Sequence, residues 1–236
     1  MPASSQANPR NLLTSLILVF PLFLIYQIGV LFTLPMLNGA DFVTTLLFAS
    51  LGLTLKGYLL FLGCVVGLFA AALALLKRKQ HFHSKVIIPV LLESVIYALT
   101  MGSLIVLLMT KVLGFSPGLA VGLPQQGLLT RLVMSLGAGV YEELVFRLGL
   151  LGGCIVACEK LLGMSRWAAV LGALVLSSIV FSIVHYLPPT GDPFAFESFT
   201  FRVLAGIVFG VLFKLRGLAV AVYTHAFYDI FVLVVR

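Results

Sequence analysis

The stretch Tyr141-Glu142-Glu143-Leu144-Val145-Phe146-Arg147 places two carboxylates and a guanidinium in surroundings apolar enough to lie in a bilayer. An ionisable side chain at the bilayer centre costs at least ~2.5–3.5 kcal/mol, so a cluster within two turns needs partners or a function. Two further apolar stretches carry His185 and the pair His225/Asp229. Carboxylates, imidazoles and an arginine on separate apolar segments are the ingredients of proton-transfer chemistry. These residues point to an enzyme working inside a membrane.

Helical spacing assigns provisional roles. Glu143 and Arg147 stand four apart and share a face, so they are expected to pair. Glu142 lies ~100° round an α-helix from Glu143 and is free to point elsewhere. In a poorly solvated site such a carboxylate becomes a useful general base. His225 and Asp229 are also four apart: either the carboxylate orients the imidazole, or both project into one cavity. Glu93 stands roughly 12 Å into its segment, near the expected depth of His225. It is expected to line the cavity or to find a partner such as Arg147. His81-x-His83 sits in a basic loop and reads as an interfacial charge cluster. Gly114-Phe115-Ser116-Pro117-Gly118 formally matches Gly-x-Ser-x-Gly. No strand precedes it and a proline follows the serine, so a serine hydrolase is rejected.

The elements that must position these residues are membrane helices. Hydrophobic residues make up 61% and charged residues 10% of the chain, and mean hydropathy is +1.17. A soluble domain is nearer a quarter charged. The 236 residues suit a single integral-membrane domain, all-α, a polytopic helical bundle. About seven spans of ~20 residues are expected, near 12–36, 57–76, 86–109, 129–157, 167–186, 200–214 and 218–235. Residues 41–55 are too short to span and are expected to lie at the interface or to re-enter. The first apolar run is too long for a signal peptide and is expected to be a retained helix. Cys64, Cys154 and Cys158 lie in apolar segments and suggest neither a disulfide framework nor a metal motif.

The net charge of +7 does not indicate nucleic acid, because the basic residues fall in short loops where they meet anionic lipid. The strongest cluster, Lys77-Arg78-Lys79 through Lys85, should face the cytoplasm of an inner or plasma membrane. Lys160/Arg166 and Lys214/Arg216 then lie on the same side, with the N-terminus cytoplasmic. His225 falls roughly 12 Å above Lys214/Arg216. Glu142 can meet it if its membrane helix ends near Gly152-Gly153. His185 falls near the outer end of its helix, so that helix tilts or sits higher, or residues 187–199 dip inward.

In order, Glu142-Glu143-x-x-x-Arg147, Phe181-x-x-x-His185 and His225-x-x-x-Asp229 resemble the CAAX protease and bacteriocin-processing (CPBP, or Abi) family of intramembrane proteases. The spacing of Arg202, Gly206, Gly210, Gly217 and His225 is similar to that family's last two helices. The resemblance covers residues 129–233. It implies a hydrolase in which Glu142 activates a water with help from His185, while His225 and Asp229 stabilise the oxyanion. Glu143 belongs to the same motif, and Arg147 and Phe181 support it. The family often carries Asn where Asp229 stands. An ionised Asp229 cannot donate, so it orients His225, is protonated, or binds a metal.

The resemblance leads to an endopeptidase cleaving a membrane-associated protein or peptide at a C-terminal tail, sorting signal or peptide precursor. No cofactor is expected. The alternative is a zinc metalloprotease with Glu142, His185 and His225 as ligands, although no His-Glu-x-x-His occurs. Partners are then membrane lipids and the substrate. A non-enzymatic immunity or binding protein and a transporter are the rivals of another class.

Overall fold

A computed structural model describes residues 11–34, 36–42, 44–46, 54–78, 80–115, 126–187 and 191–235. The helices are α1 (Leu12–Thr33), α2 (Leu55–Leu76), α3 (Ile87–Lys111), α4 (Leu128–Gly137), α5 (Gly152–Lys160), α6 (Arg166–Val184), α7 (Phe196–Arg216) and α8 (Leu218–Ile230). A π-helix, Ala138–Leu151, joins α4 to α5 without a break, and a short π turn, Phe231–Val235, follows α8. There is no strand among the described residues. The expected all-α membrane bundle is therefore the observed one.

Local chemistry starts several of these helices. Asn11, Thr54 and Ser165 each cap a helix by accepting a backbone N–H in its first turn, satisfying a donor that has no intrahelical partner. Gly217 alone separates α7 from α8. It has φ +96°, a left-handed conformation that a side chain would disfavour. Its N–H donates to Leu212 and Phe213 carbonyls, closing α7 just as α8 begins.

Five helical stretches are long and apolar enough to cross a membrane: α1, α2, 84–111, α6 and α7. The other two expected spans carry most of the site's charged groups. The rod 128–160 holds Glu142, Glu143 and Arg147 in its middle, which lowers its hydropathy. The last apolar helix, Leu218–Val234, is shorter than a usual span. Of the segment 41–55, residues 42 and 44–46 are helical, while 43 and 47–53 lie outside the described residues. The Gly-x-Ser-x-Gly match also falls largely outside them.

The short last helix is the centre of the bundle. Leu218 through Val222 and Ala226 are at most 3% exposed, and α8 packs on α1, α3, α4, α7 and the π-helix. Small residues make the approach close. A Cβ on Gly139 would stand 2.7 Å from Ala226 Cβ and 2.8 Å from the Val222 carbonyl oxygen. Backbone that close cannot step aside cheaply. Gly139→Ala is therefore expected to cost about 1–3 kcal/mol, read as a lower melting temperature in detergent. An unchanged melting temperature would contradict this packing.

Gly206 and Gly210 similarly admit Ser178 and Leu174 of α6 against α7, the packing notch their spacing suggested. Large apolar side chains such as Leu60, Leu68, Ile88, Trp167 and Leu171 point outward, as they should toward lipid.

Candidate active site

The π-helix carries the acidic pair. Its i→i+5 bonding is shown by the Gly152 N–H donating to the Arg147 carbonyl. Such winding is rare, occurs mostly as single turns, and is frequent at functional sites. The expected α-helical offset between Glu142 and Glu143 is therefore replaced by a wider turn. The two carboxylates still diverge, and each finds a different set of partners.

Glu142 faces both histidines. Its Oε2 lies 3.9 Å from His185 Nε2 and 3.8 Å from His225 Nε2. Both separations exceed a direct hydrogen bond and suit a bridging water. The other oxygen, Oε1, accepts from Asn38 Nδ2 at 3.0 Å.

Glu143 is wholly buried and meets the other ring nitrogen of His225. Its Oε1 lies 2.8 Å from His225 Nδ1, and its Oε2 lies 3.2 Å from Arg147 Nε, so the expected pair forms. Arg147 is itself 1% exposed. Its guanidinium carbon sits 4.3 Å from the Phe181 ring centre and 5.2 Å from that of Phe209. Nη2 donates to the Gly206 carbonyl at 3.5 Å. Cation–π contacts with two rings and the charge of Glu143 together compensate an arginine that water does not reach.

The tautomers follow from the acceptors. His185 Nδ1 lies 2.7 Å from the Phe181 carbonyl oxygen, which can only accept, so Nδ1 donates and Nε2 is turned toward Glu142. Phe181 is four residues earlier, in the last turn of α6, where carbonyls lack helical partners. That explains the Phe-x-x-x-His spacing physically. Its ring also packs edge-on to His185 and His225. His225 Nδ1 donates to the Glu143 carboxylate, again leaving Nε2 for the Glu142 side, and the imidazole stacks on Phe209 at 4.3 Å.

Two expectations are revised. Asp229 Oδ2 is 3.8 Å from His225 Nε2, so Glu143, not Asp229, orients that ring by a direct hydrogen bond. Glu93 does not meet Arg147; Arg216 holds it with two hydrogen bonds of 2.9 and 3.1 Å. The rod that carries Glu142 runs to Lys160, within three residues of the expected 129–157 helix. Gly217 and Leu218, at the α7–α8 turn, line a shallow cavity with Leu148 of that rod. That turn therefore sits well up the rod rather than at its end.

The hairpin formed by α5 and α6 brings His185 to the level of Glu142. Glu142 precedes the 161–165 connection by about as many residues as His185 follows it, so antiparallel packing brings them level. The returning chain then folds over the helix end, with Asp192 N–H donating to the His185 carbonyl at 2.8 Å.

Asn38 was not singled out in the sequence, where it is one polar residue in a short loop. Nor was the buried network beside it, in which Gln27 hydrogen-bonds to the hydroxyls of Tyr141 and Tyr58. Gln27 within an otherwise apolar helix is the signal that could have pointed there. Among the described residues no three His, Cys, Asp or Glu side chains are grouped to hold a metal ion.

Residues 124–231 match the family described as Rce1-like, type II CAAX prenyl endopeptidase. No curated protein and no solved structure matches the chain. All of Glu142, Glu143, Arg147, Phe181, His185, His225 and Asp229 lie within the matched residues, whereas Asn38 lies before them. Over that segment, which carries all of these motifs, the chain is similar to the Rce1-like family of type II CAAX prenyl endopeptidases.

Proposed function

We propose that this multi-pass membrane protein hydrolyses a peptide bond of a membrane-associated protein or peptide with a water activated by Glu142. The observation that carries the proposal is the convergence of Glu142 Oε2 on two imidazole Nε2 atoms at 3.8 and 3.9 Å. A water between them gives up its proton to Glu142 while its oxygen attacks the peptide carbonyl. His185, fixed through Nδ1, accepts a hydrogen bond from the water at Nε2 and aims it. His225, when protonated, donates from Nε2 to the oxyanion, and Glu143 with Arg147 behind it sustains that charge. Glu142 then delivers the proton to the leaving amine as the C–N bond breaks.

The substrate class is a C-terminal tail, sorting signal or peptide precursor lying at a membrane. A basic cytoplasmic face supports a plasma-membrane protein with its N-terminus inside.

The test is cleavage of a library of membrane-associated peptides by the purified protein in detergent, with and without a chelator. The wild type should cleave in either condition, and His185→Ala should lower kcat/KM by about 10²-fold or more. Loss of cleavage with chelator would instead make Glu142, His185 and His225 metal ligands. Undiminished cleavage by His185→Ala would overturn the mechanism.

A further inference from the structure

Glu142 needs one of its oxygens to face the water and the other to be held, or the side chain can rotate among several arrangements. The holding partner comes from outside the segment that matches the family. Asn38 lies in the loop after α1, and its Nδ2 donates to Glu142 Oε1 at 3.0 Å. Which end of that amide points at Glu142 is decided by its neighbours. Asn38 Oδ1 accepts from the Ala40 N–H at 2.8 Å, which leaves the amide nitrogen for the carboxylate.

The loop is held from behind. The Asn38 N–H donates to the Tyr26 hydroxyl at 3.1 Å, and Tyr26 is fully buried in α1. Tyr26 in turn packs against Gly137, immediately before the π-helix. A Cβ on Gly137 would lie 2.3 Å from the Tyr26 ring and 3.1 Å from Asn38 Cβ. The glycine lets the loop approach the acidic pair. Asp41 steadies the same loop by accepting the Thr44 N–H at 3.0 Å.

We infer that Asn38 is a positioning residue for the reaction: its amide holds Glu142 Oε1, so that Oε2 is the oxygen that takes the proton of the water. The role rests on the hydrolase reading given above. A side chain from the first part of the chain thus completes a site whose other polar groups lie between 142 and 229.

The loop role and the positioning role separate in Asn38→Asp. Aspartate keeps an oxygen for the Ala40 N–H, and so keeps the turn, but puts an acceptor where Glu142 needs a donor. Asn38→Asp and Asn38→Ala are compared with wild type and Glu142→Gln in one peptide-cleavage assay, with melting temperatures measured alongside. The expected result is a fall in kcat of about 10- to 100-fold in both Asn38 variants. KM should be little changed, and both variants should remain folded at the assay temperature, Asn38→Asp melting somewhat below wild type because its carboxylate faces that of Glu142. Wild-type kcat in Asn38→Asp, with Glu142→Gln inactive, would overturn this role and leave the hydrolase reading intact. Full cleavage by Glu142→Gln would overturn both. A fall in kcat matched by an equal loss of melting temperature in both Asn38 variants would make Asn38 a structural loop residue and overturn the positioning role.

Discussion

Glu142→Gln is expected to lower kcat for peptide hydrolysis by about 10²–10⁴-fold while leaving the protein folded. Glutamine has nearly the shape of glutamate, and its carbonyl oxygen can still accept the Asn38 amide that lies 3.0 Å from Oε1. What it cannot do is take a proton from water. The substitution also removes a charge from a site where Glu142 is only 9% exposed. No partner becomes an orphaned charge, since the two imidazole nitrogens stand beyond hydrogen-bond distance. Melting temperature should therefore hold or rise. Product formation followed by mass spectrometry, together with a melt in the same detergent, checks both halves. Retention of wild-type turnover would move the base to another group.

Arg147→Met has its largest expected effect on stability. Glu143 is fully buried, Arg147 is 1% exposed, and the two lie 3.2 Å apart. Removing one member of a buried pair strands the other, at a cost of about 3–5 kcal/mol. The methionine retains much of the apolar stem that packs against Phe181 and Phe209, so the loss reports mainly the charge. Adding Glu143→Gln removes the stranded carboxylate, and the double variant should be more stable than Arg147→Met alone. Unfolding in detergent with increasing denaturant measures each term. Wild-type stability in Arg147→Met would show that Glu143 is compensated without the arginine. Activity should fall as well, because Glu143 is the group that orients His225 at Nδ1.

The parts of this site that the sequence alone determined are local ones. Four-residue spacing was enough to pair Glu143 with Arg147, because neighbours on one helix face meet whatever surrounds them. The same spacing joins His185 to the Phe181 carbonyl at the frayed end of α6. The apolar runs defined the spanning helices α1, α2, α3, α6 and α7, since bilayer thickness sets a minimum length that composition reveals. Chemistry was legible too: ionisable groups in apolar segments are costly, so their presence is informative.

Tertiary structure decided the rest. Glu142, His185 and His225 come from three segments, and their convergence depends on how far each helix slides along its neighbour. The sequence placed the 129–157 helix within three residues of its observed end at Lys160, but not where its neighbours cross it. The Gly217 turn lies at the level of Leu148, and Gly139 lets α8 pack closely against the rod. Glu93 chose Arg216 over Arg147 for the same kind of reason: α3 brings it beside the end of α7, and no spacing within α3 encodes that. Asn38 is the clearest case. A single polar residue in a short loop carries no periodic signal, and it meets Glu142 only after Tyr26 and Gly137 have brought α1 against α4. Contacts within a helix follow from the backbone repeat, whereas contacts between helices follow from the packing of many small side chains at once.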